Sequence, residues 1–190
     1  MPLPALYLGV GQVFFAAMVA CCWLIKPSQK ALKVGLSYYG TQLETAGALV
    51  LGCAGCVTLT AVALAAAQPG APWFQRLRRG VGVVLVLMMA IPLTPYSIDI
   101  VVDWVHIGIA STMFAVAYAL GGWIAFRVRR TPFTLLLLLG QSAAAFWAAA
   151  AELGAVGWML PSQMVFELTF AALVAFALAT TLDGEAAAAW

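Results

Sequence analysis

Residues 132–151 read PFTLLLLLGQSAAAFWAAAA, a stretch with no Asp, Glu, Lys or Arg and no alternation of polar with apolar positions. A helix crosses the hydrocarbon core of a bilayer with about 20 apolar residues, whereas a membrane β-strand of about ten residues alternates because its two faces meet lipid and lumen. The stretch therefore reads as a transmembrane helix. Arg127, Arg129 and Arg130 stand just before it and Glu152 just after it, so charge marks both of its limits.

Runs of the same character occupy residues 4–25, 43–67, 80–96, 100–126 and 158–182. Lys26-Pro27 closes the first, and Gln68-Pro69-Gly70 closes the second, because proline and glycine continue a helix only at a cost. The third is short, about 24 Å at helical rise from Gly80 to Pro95, and needs the Tyr96 to Ile100 stretch to complete a crossing. The expected fold is all-α: one domain, residues 1–190, built as a polytopic bundle of six transmembrane helices. The first run lacks a basic leader and a cleavage site, so it is expected to be retained as a span.

Composition excludes the other broad classes. The chain has 190 residues, 65% hydrophobic and only 8% charged, with a mean hydropathy of +1.02; a soluble domain carries about a quarter charged residues, and a disordered chain is polar. The formal charge of +2 does not signal nucleic-acid binding, since the basic residues fall into three separated triplets. Cys21, Cys22, Cys53 and Cys56 all lie in apolar runs, away from the loops where a disulfide framework sits. Cys53-Ala54-Gly55-Cys56 has thiol-redox spacing, but nothing basic beside it would activate a thiol, and it reads as packing. Glycines at 47, 52 and 55 suit close helix approach.

Short-loop Lys and Arg bias sets orientation. All six arginines fall in the links after the second and fourth spans, and Lys26, Lys30 and Lys33 fall after the first. Both termini are accordingly expected in the cytoplasm, and the protein in the cell membrane. On that map Glu44, Asp103, Glu152 and His106 approach the outer end together. Asp103 and His106 share a helix face at a spacing of three, as Asp99 and Asp103 do at four. Such a group would hold a cation or an amine headgroup, or respond to protons through its imidazole. Glu167 falls deep in the last span, where an ionised carboxylate is costly unless paired, and no Lys or Arg shares its depth. Gln141 and Gln12 come near the same level, so Glu167 and Gln141 are expected to line an internal polar pocket.

Known chemistries are limited by count. One histidine cannot supply a site of several histidine ligands for zinc, no metal or cofactor site is expected, and no H-E-x-x-H, G-x-S-x-G or Walker sequence occurs. Ser37, Ser97 and Ser111 could come near Asp103 and His106, but only their arrangement would carry hydrolase chemistry. No catalytic residue is assigned.

Gly35-Leu36-Ser37-Tyr38-Tyr39-Gly40 before the second span, and His106 with Ala110, Ser111 and Phe114 in the fourth, carry a resemblance. The chain resembles bacterial six-helix membrane proteins grouped as a domain of unknown function, similar in layout to the damage-regulated autophagy modulator group. Val105 stands where those groups often carry the first of two histidines. The resemblance implies a membrane protein tied to lipid organisation or signalling, without an established enzyme activity. The preferred expectation is a non-enzymatic bundle that binds a lipid, a small apolar ligand or a partner membrane protein (or a second copy of itself) through an outer-half polar pocket, with Tyr38, Tyr39, Trp104 and Trp158 as interfacial anchors. The alternative is a proton-coupled transporter, channel subunit or membrane enzyme using Glu167 with Asp103 and His106.

Overall fold

The computed structural model describes residues 3–67, 72–94 and 99–188. Among them every regular element is helical: α1 (Leu3–Ile25), α2 (Gln29–Val34), α3 (Leu36–Gly40), α4 (Leu43–Ala66), α5 (Pro72–Ala90) with a 3-10 turn at Ile91–Leu93, α6 (Ile100–Trp123) with a wider π turn at Ile124–Val128, α7 (Pro132–Glu152) and α8 (Met159–Ala188). Local signals explain the starts. Ser28 and Asp99 accept from the backbone N–H groups of Lys30 and Val101 at 3.1 and 2.8 Å, and Thr131 with Thr134 forms a reciprocal cap on α7, each bonding donors that a helix N-terminus leaves open.

Among the described residues five helices are long and apolar enough to cross a membrane: Leu3–Ile25, Leu43–Ala66, Ile100–Val128, Pro132–Glu152 and Met159–Ala179. The helix found at the third expected span, residues 80–96, has other limits. Instead of beginning at Gly80, α5 begins at Pro72 and carries Arg76, Arg78 and Arg79 within its first turns, because proline at the first helical position and the buried Phe74 and Leu77 extend the helix backward through the basic cluster. Its apolar part is then shorter than a full crossing, and residues 95–98, which the expected span requires, lie outside the described residues. Helix α5 nonetheless packs within the bundle through Val81, Val84 and Met88.

The tightest pair is α1 with α4. A Cβ on Gly52 would come within 2.8 Å of Met18 Cβ, one on Gly55 within 2.5 Å of the Phe14 ring, and one on Gly11 within 3.1 Å of Leu59 Cβ. Membrane helices gain little from burying apolar surface against each other, since lipid is equally apolar, so close backbone approach takes over. Gly47 has open space around it and plays no part in that contact. Helix α8 lies against α1, α6 and α7. The outward surfaces carry exposed Val13, Val86, Leu136, Leu139 and Phe146, the side chains a lipid phase would cover.

The bundle is polarised. Gly80 on α5 meets Leu120 on α6, which puts the Arg76–Arg79 turn at the end where Arg127, Arg129 and Arg130 lie. Arg129 Nη1 also donates to the Phe176 carbonyl at 3.4 Å and stacks over the Phe176 ring, bringing the C-terminal half of α8 to that end. The opposite end gathers α2, α3, the 3-10 turn, the start of α6 and the link between α7 and α8.

Replacing Gly52 by Leu is expected to lower the thermal unfolding midpoint in mild detergent, by an overpacking cost of about 1–3 kcal/mol, whereas Gly47→Leu leaves it unchanged. Equal effects of the two substitutions would refute the packing account.

Candidate functional site

Among the described residues two polar cavities stand out within the bundle, and no lining residue is common to both. The larger is a cavity of about 630 Å³ at the lysine-bearing end, a size usual for a small-molecule pocket of about 300–1,000 Å³. It exists because α7 presents Ala145, Ala148 and Ala149 to it: residues three and four apart share a helix face, and methyl-sized side chains leave room in front of α6. Across the space α6 contributes Ile107, Ala110 and Phe114, and Phe114 is braced edge-on by the buried Phe166 ring of α8, with centroids 4.6 Å apart. The inner wall is therefore apolar. Lys33, Ser37, His106, Ser111, Glu152 and Gln163 supply the polar groups. Lys33 and Glu152 are exposed, so the cavity opens at the bundle end.

Ser37 and His106 are joined directly: Ser37 Oγ lies 2.7 Å from His106 Nε2. The other ring nitrogen, Nδ1, faces the Thr94 backbone carbonyl. Thr94 itself is fixed at the end of the 3-10 turn by its hydroxyl, which donates to the carbonyls of Ala90 and Ile91. Ser37 is positioned from the other side. Gly35 adopts φ 82°, a conformation that favours glycine, and a Cβ there would collide with the Gln163 amide. Gln163 Oε1 accepts from the Leu36 backbone N–H at 2.9 Å, so α8 holds the turn that leads into Ser37.

The smaller site is a cavity of about 20 Å³ between α1, α4, α5 and α8, bounded by Gln12, Cys56, Thr60 and Glu167 with apolar neighbours including Val81 and Val84. Room for one water needs about 10–15 Å³ on this measure. Gln12 Nε2 donates to Cys56 Sγ at 3.3 Å, and its side chain borders the same small cavity as the Glu167 carboxyl. Gln12 Oε1 and Thr60 Oγ1 are buried without a partner. Glu167 lies roughly 12 Å along α8 from its start, somewhat shallower than the sequence suggests.

The sequence candidates thus separate. His106 and Glu152 reach the large pocket. Asp103, half-buried one turn before His106, does not line it. Glu44 is exposed and pairs with Lys26, whose Nζ lies 3.3 Å from the carboxylate and 2.7 Å from Gln42 Oε1. Gln141 does not join Glu167: it turns against Gly121 and donates weakly to the Ala117 carbonyl at 3.4 Å. Ser97 lies outside the described residues. Trp104 and Trp158 are exposed, as anchors would be, but Tyr39 is wholly buried; burial raises its phenol above the ordinary value, with Cys22 and Tyr38 adding in the same direction. Sequence reasoning passed over Lys33, Gln163 and the α7 alanines. The only available signal was their spacing, which gives a shared face but not the helix opposite. No family model, curated protein or solved structure matches the chain.

Glu167→Gln keeps the size of the side chain and an amide able to bond Gln12, so the thermal midpoint in detergent is expected to hold or rise. Glu167→Lys, placing an ammonium beside the Gln12 amide in an apolar surround, is expected to lower it sharply. A marked fall for Glu167→Gln would show that the bundle uses the carboxylate charge.

Proposed function

We propose that this chain is a cell-membrane protein that binds a membrane lipid in the 630 Å³ pocket. The observation that carries the reading is the division of the pocket wall. An apolar interior of Ile107, Phe114 and the α7 alanines leads to a rim with a cation, an acid, an imidazole and an amide in Lys33, Glu152, His106 and Gln163. An amphiphile with a charged or zwitterionic head and an alkyl tail satisfies both halves, each methylene withdrawn from water contributing about 0.8 kcal/mol. Ser37, His106, Ala110, Ser111 and Phe114, which carry the family resemblance, all line this pocket, and the reading takes the chain as a member of that six-helix group.

In the same reading α5 completes a sixth crossing, with both chain ends and the arginine end in the cytoplasm, as the positive-inside rule favours, and the pocket opens to the outer leaflet. The second reading, a proton path through Glu167 with Asp103 and His106, draws support from the buried unpartnered atoms of Gln12 and Thr60. Against it, the two cavities have separate walls among the described residues.

Native mass spectrometry of the protein from mild detergent is expected to find one retained lipid. Ala148→Trp, which fills the pocket, reduces occupancy about tenfold, equivalent to about 1.4 kcal/mol, while Leu136→Trp on the exposed surface does not. Occupancy unaffected by Ala148→Trp would remove the reading. For orientation, single cysteines at positions 78 and 129, in a background without the native cysteines, are expected to react with an impermeant maleimide only after the cells are opened; labelling of intact cells would reverse the assignment.

A further inference from the structure

The Ser37–His106 contact is more specific than lipid binding requires. A carbonyl oxygen only accepts hydrogen bonds, so the Nδ1 that faces the Thr94 carbonyl carries the ring proton in the neutral imidazole. Nε2 then holds a lone pair, and the Ser37 hydroxyl, 2.7 Å away, donates to it. This is the relation of nucleophile, base and orienting group that activates a serine in acyl transfer, with a backbone carbonyl in the orienting role usually taken by a carboxylate. It is built on three separate elements, α3, α6 and the 3-10 turn after α5. Both side chains line the open pocket, whereas a purely structural tie between helices has no need of a cavity in front of it.

We propose that Ser37 is the nucleophile of an acyl-transfer reaction on the carboxylic ester of a membrane lipid, with His106 as its base; this rests on the lipid-binding reading of the same pocket. Ser37 Oγ attacks the ester carbonyl carbon as its proton passes to His106 Nε2, and the carbonyl electron pair moves onto oxygen. When that tetrahedral species collapses, the bond from carbon to the lipid alkoxy oxygen breaks, and the departing alcohol takes the proton from Nε2. The acyl group is left on Ser37. Water, or the hydroxyl of a second lipid, then gives its proton to Nε2 and attacks the acyl carbon; as this second tetrahedral species collapses, the bond from carbon to Ser37 Oγ breaks, Oγ takes the proton back from Nε2, and a fatty acid or a new ester is released. No redox partner is needed. Gln163, whose Oε1 is committed to the Leu36 N–H, keeps its amide NH₂ as a donor, and Lys33 supplies a cation at the same rim; these are the groups suited to the developing oxyanion.

The test uses the full-length protein in mild detergent with a long-chain alkyl fluorophosphonate, which phosphonylates activated serines. One adduct per chain is expected by intact mass, mapped by peptide sequencing to Ser37, with its rate falling at least a hundredfold in His106→Gln. A parallel arm reconstitutes the protein in phosphatidylcholine vesicles with deuterated acyl chains and looks for a deuterated acyl group on the Ser37 peptide or for released deuterated fatty acid, both absent in Ser37→Ala. Native mass spectrometry of every variant separates the two readings. If wild-type protein retains lipid but Ser37 takes neither adduct, or labels equally fast in His106→Gln, the acyl-transfer proposal is overturned and the binding reading stands. If wild-type protein retains no lipid and takes no adduct, both fall. Because the wild-type adduct is itself decisive, misfolding of either variant does not rescue the proposal.

Discussion

Hydrocarbon offers no hydrogen bonds, so a segment that crosses it must close every backbone N–H and C=O within itself. Helices meet that condition, and the rest of the architecture follows from how they can then be held together. Lipid competes equally for apolar side chains, so the α1–α4 pair coheres through backbone proximity at Gly11, Gly52 and Gly55. This close pair forms one wall of the bundle, and α8 closes against it.

Small residues have opposite consequences in different parts of the same bundle. Glycines between α1 and α4 draw the helices together and leave only a water-sized space near Glu167. The α7 alanines face α6 without a complementary ridge, and the space in front of them stays open. Tight packing thus encloses one polar cluster, while looser packing at one end leaves an open pocket. The ionisable groups divide accordingly. Glu167 shares a water-sized cavity with the Gln12 amide, whereas His106 is held by Ser37 and by the Thr94 carbonyl at the edge of an open cavity. A hydrogen-bonded pair held from both sides is fixed in one geometry, and the acyl-transfer proposal rests on that geometry and not on the presence of the two residues in the sequence.

The helical class and most span limits were legible in residues 132–151 and the comparable runs, because a bilayer imposes a length and a polarity on anything that crosses it. The same rule placed His106 and Glu152 toward one end and Glu167 inside. It misjudged α5, since hydropathy registers the arginines as a boundary while Pro72, Phe74 and Leu77 continue the helix through them. It also paired Glu167 with Gln141 on depth alone. Depth fixes one coordinate of a side chain, and rotation about the helix axis fixes the other.

By itself the sequence determined which long segments are helices, the start of α5 apart, and which end of the bundle gathers which charges, all of which depend on position along a single chain. Tertiary structure decided the partners: Gln12 rather than Gln141 beside Glu167, Lys26 with Glu44, and Ser37 against His106. The reason is physical. Hydropathy is a local property of consecutive residues, whereas the azimuth at which two helices meet depends on the fit of their facing surfaces, here on where glycine permits contact and alanine leaves a gap.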